Sequence, residues 1–529
     1  MLRRAVEPWV GLLLCVGVGA PGCGPDEHAP VADAAPVPVD AAPGPAYADP
    51  ADFDRTGCVP GSLEALSSAP GIYHVELQFA GNATAIAVRV DDDGVLVNGF
   101  PGGPALQTAD DLLLRSEVPG QGVRALDLCA LDASGTLTGT YARCPSSGCF
   151  TAPARGRRVE RLAEADASGL SLLGEFAGAP RWSQGLSVNV RVVDEVAYLA
   201  RYQDGLRIVD VADPAAPVEL GHLPTEFGGD EIYNDVKLVD GPAATRYALM
   251  ASSVAGVVVV DVTQPSTPTV VAHLGTPPSP GATVDIHTLS VDGGRAYLAN
   301  LDTGLEIWDV TTPTAPVRLG GFARSQPFGF LHDLFVDGDR AYLNWWDAGM
   351  VVVDVADPAA PVELGRFVGY GEHTSHSSWV TEVGGRRLAV HGDEQYGAHV
   401  HVVDVDEGGP TFLDDVGAWQ TRPEVSVHNV MAFGDRAYLA HYQDGVRVLD
   451  LGDPAAPVQV AWFNTWPGYD RAYGENFFEG AIGLDVDLDL GRIYVADSHR
   501  GLLILALAAP SGLTAAPSAR PADAKPPGP

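Results

Sequence analysis

Histidine is the residue whose type and spacing could carry chemistry in this chain. His287, His332, His376 and His428 recur at similar intervals, and three of them stand ten residues before a tyrosine, Tyr297, Tyr342 and Tyr438. A matched offset puts equivalent side chains at equivalent points of a repeated unit. Asn234-Asp235 holds the corresponding place one unit earlier. Imidazoles and carboxylates converging on a concave site suit a divalent transition metal or a polar ligand. The richest segment is Glu372-His373-Thr374-Ser375-His376, then His391-Gly392-Asp393-Glu394, then His399 and His401. His373, His376, His391 and Asp393 are the first candidates there, and in a strand His399 and His401 share a face. The competing role is architectural: histidines that hydrogen-bond between neighbouring strands around channel water. Asp204, Asp302, Asp347, Asp444 and Asp497 add carboxylates on the same side, which turn chemistry also explains. Nearby aromatic residues such as Trp346, Tyr396 and Phe477 could stack on a carbohydrate or grip a peptide, or simply pack. No nucleophile motif, phosphate loop or dinucleotide fingerprint stands in a convincing context.

The elements that must position these residues are repeats. GLRIVDVADPAAPVELG from Gly205 returns as GMVVVDVADPAAPVELG from Gly349 and GVRVLDLGDPAAPVQVA from Gly445, with looser copies from Gly256 and Gly304. The motif aspartate falls at Asp210, Asp261, Asp309, Asp354, Asp404 and Asp450, and a seventh copy from Ile482 carries Ala506 in that slot. Each unit holds four strand-like runs, in the first 187–193, 196–201, 206–211 and 218–223. Asp-Pro and Ala-Pro steps between the third and fourth runs force turn or extended backbone. Four short antiparallel strands in a unit of roughly 45 residues describe a propeller blade. The seventh unit ends after its third strand, and Ser171–Phe176 resembles the fourth strand of the first unit. The expectation is a seven-bladed β-propeller over 169–508 whose last blade is completed by this N-terminal outer strand, leaving no open edge. Long, unlike crossings between blades share a face with the histidines, whereas the Asp-Pro-Ala-Ala-Pro turns share the other. Varied loops on a rigid scaffold are where function usually resides.

The repeated Gly-Leu-Arg-Ile-Val-Asp-Val and Asp-Pro-Ala-Ala-Pro, with Arg-Ala-Tyr-Leu-Ala at 436–440 before its copy, resembles the LVIVD-repeat family. The resemblance covers roughly Gly169 to Leu507 and implies an exported bacterial β-propeller. The fifth unit departs most: Leu388 stands in the tyrosine place, and Asp406-Glu407-Gly408-Gly409-Pro410 replaces the Pro-x-x-Pro turn. Its blade is expected to be distorted.

Upstream, Arg3 and Arg4 precede an apolar run, Val10 to Ala20, too short to span a bilayer. Residues 1–22 read as a signal peptide of lipoprotein type. Ala20-Pro21-Gly22-Cys23 resembles a lipobox, which implies lipidation of Cys23 and a place in the bacterial cell envelope, at the outer membrane or cell surface. Ordinary cleavage would instead leave the protein periplasmic. Residues 23–54, rich in Pro, Ala and Asp, read as a flexible tether, and 509–529 as a disordered tail. Residues 55–162 read as a small all-β domain with no catalytic constellation. Its Cys58, Cys129, Cys144 and Cys149 suit two disulfides in an oxidising compartment, with all three pairings open; a zinc site is the weaker alternative.

A formal charge of -36 disfavours nucleic acid and electrostatic docking on anionic lipid, so membrane contact rests on the lipid anchor. The fold class is thus all-β. The function expected is a monomeric ligand- or protein-binding scaffold of the envelope, its partner an envelope protein, a peptide or a carbohydrate. The alternative is a metal-dependent enzyme using the His/Asp-lined mouth; a divalent metal is the cofactor these residues suggest.

Overall fold

The computed structural model describes residues 47–508, apart from 69, 80–81, 92–93, 98–103, 119–121, 146–147, 179–185, 229–230, 278, 280, 324–328, 369–373 and 470–476. Cys23, His373, residues 23–46 of the expected tether and the C-terminal tail lie outside the described residues; residues 47–54 are described and packed, with Tyr47 and Phe53 buried against Leu113 and Ala142 of the N-terminal sheet.

Seven antiparallel sheets of the repeat form the propeller. Innermost strands are Ser187–Val193, Tyr233–Gly241, Ile286–Asp292, Asp333–Asp337, Ser375–Val383, Val430–Phe433 and Ala481–Asp487, for blades one to seven. The third strand is the most apolar because sheets cover it on both faces: Val257, Val258, Val259 and Val260 of blade two have no exposed surface. Each motif aspartate caps its own turn; Asp210 accepts from the Ala212 N–H at 2.9 Å and Asp354 from the Ala356 N–H at 2.9 Å. The aspartate is thus structural: its carboxylate accepts from the N–H two residues on, in an Asx turn.

The last blade is closed as expected. Leu170–Phe176 pairs antiparallel with Gly501–Leu507, giving a four-stranded sheet built from both ends of the propeller. The two glycines that flank each repeat have different reasons. The first, as at Gly205 (φ 102), adopts left-handed backbone before the third strand. The last lies under the next blade: a β-carbon on Gly221 would sit 2.0 Å from the Pro265 carbonyl oxygen, and on Gly320 1.9 Å from that of Pro358. The final glycine of one repeat and the Pro turn of the next therefore form one seam. Ala272 and Ala461 hold that place in blades two and six.

Blade five is not distorted. Ser375–Val383, Arg386–Asp393, Val400–Asp404 and Asp415–Trp419 form a regular four-stranded sheet. Its register also corrects the alignment: Val390, not Leu388, lies opposite Val402, as Tyr438 lies opposite Val448. Backbone pairing keeps the ladder although the turn sequence differs.

The N-terminal domain is an eight-stranded antiparallel sheet shaped as a half-barrel, in which Gly71–Phe79 pairs with both Asn82–Asp91 and Phe150–Arg158. Disulfides join Cys58 to Cys129 and Cys144 to Cys149, which decides the pairing and removes the zinc alternative. Alternation along Asn82–Asp91 gives the sheet two buried faces. Ile86, Val88 and Val90 enter the domain's own core, while Ala85 and Ala87, with Ile72 and Val159, pack in one cluster with propeller residues Tyr202, Trp346, Tyr442 and Phe477. The His74 Nδ1–H donates to the Glu424 carbonyl at 2.5 Å, and its ring lies 4.3 Å from Phe477. The sheet thus roofs the crossing-loop face that the sequence suggests is an open mouth. Among the described residues no helix is long and apolar enough to cross a membrane.

Candidate functional site: a roofed arc of imidazoles

The four histidines of the repeat come together. His287 opens the inner strand of blade three, His332 immediately precedes that of blade four, His376 lies within that of blade five, and His428 precedes that of blade six. Their rings follow one another around the channel with centroids 4.0, 4.4 and 4.3 Å apart. The reason is register: one side chain per blade at the same height on neighbouring inner strands must meet at the axis. The central cavity they line has a volume of about 90 Å³.

Backbone contacts orient two of these rings. His376 Nδ1 lies 3.2 Å from the carbonyl of His428, and His428 Nδ1 lies 2.6 Å from that of Ile482. A carbonyl only accepts, so Nδ1 carries the hydrogen in both rings and Nε2 keeps its lone pair. These two histidines bridge neighbouring inner strands. The same contacts also aim two bare nitrogens at one carboxylate. Glu394 Oε2 is 3.5 Å from His376 Nε2, and Oε1 is 3.8 Å from His428 Nε2. The Tyr442 hydroxyl donates to Oε1. The His332 ring is buried against Trp346 at 4.7 Å.

Burial sets the electrostatics. It pushes Glu394 up to about 8, with the Tyr442 hydrogen bond opposing. Desolvation lowers His287 to about 4 and His428 to about 3, and His332 and His376 fall well below the usual imidazole value, each disfavoured further by neighbouring histidines. At neutral pH the cluster is therefore a set of neutral imidazoles around a carboxylic acid.

The other expected residues are placed elsewhere. Asp235 lines the channel but is engaged: it accepts from Asn189 Nδ2 at 2.6 Å and the Leu289 N–H at 3.1 Å, and pairs with Lys237 Nζ at 2.5 Å. His391 is enclosed within blade five, where Ser378 Oγ meets its Nδ1 at 2.9 Å and Phe367 of blade four packs on it at 5.8 Å. Asp393 follows on the same strand, accepts from the His399 N–H at 2.6 Å, and is lifted by burial to about 7. Blade five's histidines thus divide between the channel and the blade flank. Among the loop aspartates, Asp204 pairs with Arg207 at 2.8 Å and Asp444 with Arg422 at 2.6 Å.

Glu394 was legible only as part of the His391–Glu394 string. It stands four residues beyond Val390, the place held by Tyr202, Trp346 and Tyr442 in blades one, four and six. Those three aromatics cap the mouth. Ser253, Leu301 and Ser498 hold the place in blades two, three and seven, so blade five alone of the seven puts a carboxylate there, and the corrected register is the signal that finds it.

The LVIVD repeat family matches residues 184–225, 245–276, 283–323, 329–368 and 426–465, which are blades one to four and six. Blades five and seven are passed over. No curated protein matches the chain in sequence. Solved structures it is similar to include a computationally designed Ika8 protein (10% identity, 63% of this chain and 98% of that one, TM-score 0.41). Others are U3-55K (10%, 66% and 100%, 0.46) and a chain of a mitotic checkpoint complex (12%, 64% and 94%, 0.45). At these scores the likenesses bear on neither fold nor function. Five matched repeats, seven four-stranded blades and a strand closing the ring identify the protein as an LVIVD-repeat β-propeller.

Proposed function

We propose that this protein is a non-catalytic binding scaffold of the bacterial cell envelope, exported and held by lipid at Cys23, whose partner is an envelope protein docking on the propeller's rim. The observation that carries this reading is the small size of the central cavity. About 90 Å³ accommodates a few waters, whereas organic ligands occupy roughly 300–1,000 Å³. The metal-dependent enzyme alternative requires the N-terminal sheet to lift, because His332, His376 and Glu394 are each at most 4% exposed beneath it. The rim offers a regular surface instead. Val218, Val317, Val362 and Val458, each opening an outer strand after a proline, are each 58% exposed. Apolar groups exposed on four of the blades suit a partner that contacts several blades at once.

In-cell photo-crosslinking tests this on the full chain, with the crosslinker in turn at Val218, Val317, Val362 and Val458. A discrete adduct in the envelope fraction, lost when Cys23→Ser releases the chain, is the expected result. Absence of adducts from all four positions would overturn the rim reading. Unchanged fractionation of the Cys23→Ser variant would overturn the anchor.

A further inference from the structure

We infer that His332, His376 and Glu394 form a binding site for one divalent first-row transition ion, which clasps blades four and five beneath the N-terminal roof. Two observations carry it. First, the donor set converges: one nitrogen of each imidazole and one carboxylate oxygen lie within 4.8 Å of one another, and all three residues are buried. Tetrahedral zinc with bonds of about 2.0–2.1 Å separates its ligand atoms by about 3.3 Å. The 3.5 Å between His376 Nε2 and Glu394 Oε2 is already close to that spacing. Second, the outer partners are in place. His376 Nδ1 is committed to the His428 carbonyl, and Tyr442 donates to the other Glu394 oxygen. Backbone and hydroxyl partners of this kind fix the tautomer and orientation of metal-binding side chains.

Two imidazoles and one carboxylate favour ions of the zinc, cobalt or nickel type over magnesium or calcium, which prefer all-oxygen sets. His428 Nε2, 3.8 Å from Glu394 Oε1, is the adjacent imidazole that can complete the coordination. The ring stack and the inner-strand hydrogen bonds explain why histidine recurs in four blades. They do not explain why blade five alone of the seven puts a carboxylate at this place, where the others hold Tyr202, Ser253, Leu301, Trp346, Tyr442 and Ser498. A metal does.

The test uses the full chain purified without a histidine tag, stripped by chelator in mild denaturant and refolded with ZnCl₂, so that the roof does not limit access. The expected result is one zinc per chain by elemental analysis, a raised melting temperature relative to the stripped protein, and a tetrahedral ligand-field spectrum when Co²⁺ is substituted. Glu394→Gln keeps side-chain volume and should abolish stoichiometric zinc while remaining folded by circular dichroism. Tyr442→Phe, which leaves all ligands, should weaken zinc about 10–100-fold, a change that loss of packing alone would not produce. Refolded wild type that holds no zinc and shows no melting shift overturns the site. So does Glu394→Gln that binds as tightly as wild type. Should Glu394→Gln fail to fold, undiminished zinc affinity in Tyr442→Phe overturns the assigned geometry.

Discussion

The ring closure can be tested with a single methyl group. Gly174 lies in the closing strand Leu170–Phe176, and a β-carbon there would be 2.1 Å from the Pro214 carbonyl oxygen and 3.1 Å from Ala215 Cα. Gly320, within the ring at the seam between blades three and four, would meet the Pro358 oxygen at 1.9 Å. Neither glycine needs left-handed backbone, so Ala is conformationally allowed at both, and the loss of unfolded-chain entropy alone would stabilise by about 0.4–1 kcal/mol. Against this, the added carbon overlaps a backbone oxygen that cannot rotate away, and overpacking typically costs about 1–3 kcal/mol. The clash wins, leaving a net destabilisation of about 1–2 kcal/mol. For a domain of this size that lowers the melting temperature by about 1.5–3 °C. Thermal unfolding of Gly174→Ala and Gly320→Ala, followed by circular dichroism, should show similar losses if the closing strand is seated as firmly as an interior seam. A silent or stabilising Gly174→Ala beside a costly Gly320→Ala would refute closure by this strand. Two silent variants would refute the seam itself.

Other outcomes follow from the same physics. Burial and the Asp302 charge lift Asp285 to about 7, and its Oδ1 has no hydrogen-bond partner. The folded state then binds this proton more tightly than the unfolded chain, so the stability it contributes is present below the ordinary aspartate value and is lost as pH rises through about 7. Asp285→Asn should therefore stabilise by roughly 2–4 kcal/mol at pH 8 and by much less at pH 4, at about 1.4 kcal/mol per pKa unit; an equal gain at both pH values would contradict this. The Cys58–Cys129 bridge closes 71 residues and the Cys144–Cys149 bridge 5. Chain-entropy reasoning gives about 4 and about 2 kcal/mol, so paired Ser substitutions should destabilise the N-terminal domain in that order, as urea unfolding would show. Ala87→Arg places a charge in the contact between roof and propeller. It should raise hydrogen exchange in the crossing loops around Tyr442 and Phe477 without unfolding the blades, and unchanged protection would mean the roof does not rest there.

Architecture was legible from the chain because it is written locally and repeatedly. Alternating apolar residues, Asp-Pro turns and a recurring Gly-to-Gly unit specify strands and their order. The missing final strand was legible because the fragment at 171–176 carries the same pattern as the strand it replaces. The histidine position was readable for the same reason: a fixed offset within a repeat becomes a fixed height on a ring. What required tertiary structure were relations between segments distant in sequence. The roof depends on the second face of Asn82–Asp91, whose small alanines carry little signal until the propeller packs on them. Disulfide pairing depends on which cysteines the half-barrel brings close. Blade five's regularity depends on backbone hydrogen bonds, which are indifferent to the side chains that make its sequence look irregular. Glu394, the residue around which the candidate site turns, became visible only when strand register, not sequence similarity, aligned it with Trp346 and Tyr442. By itself the chain determined the ring and the recurrence of histidine. Packing over long range decided that the ring is roofed, that three of the histidines gather around one carboxylate, and that the others named beside them do not.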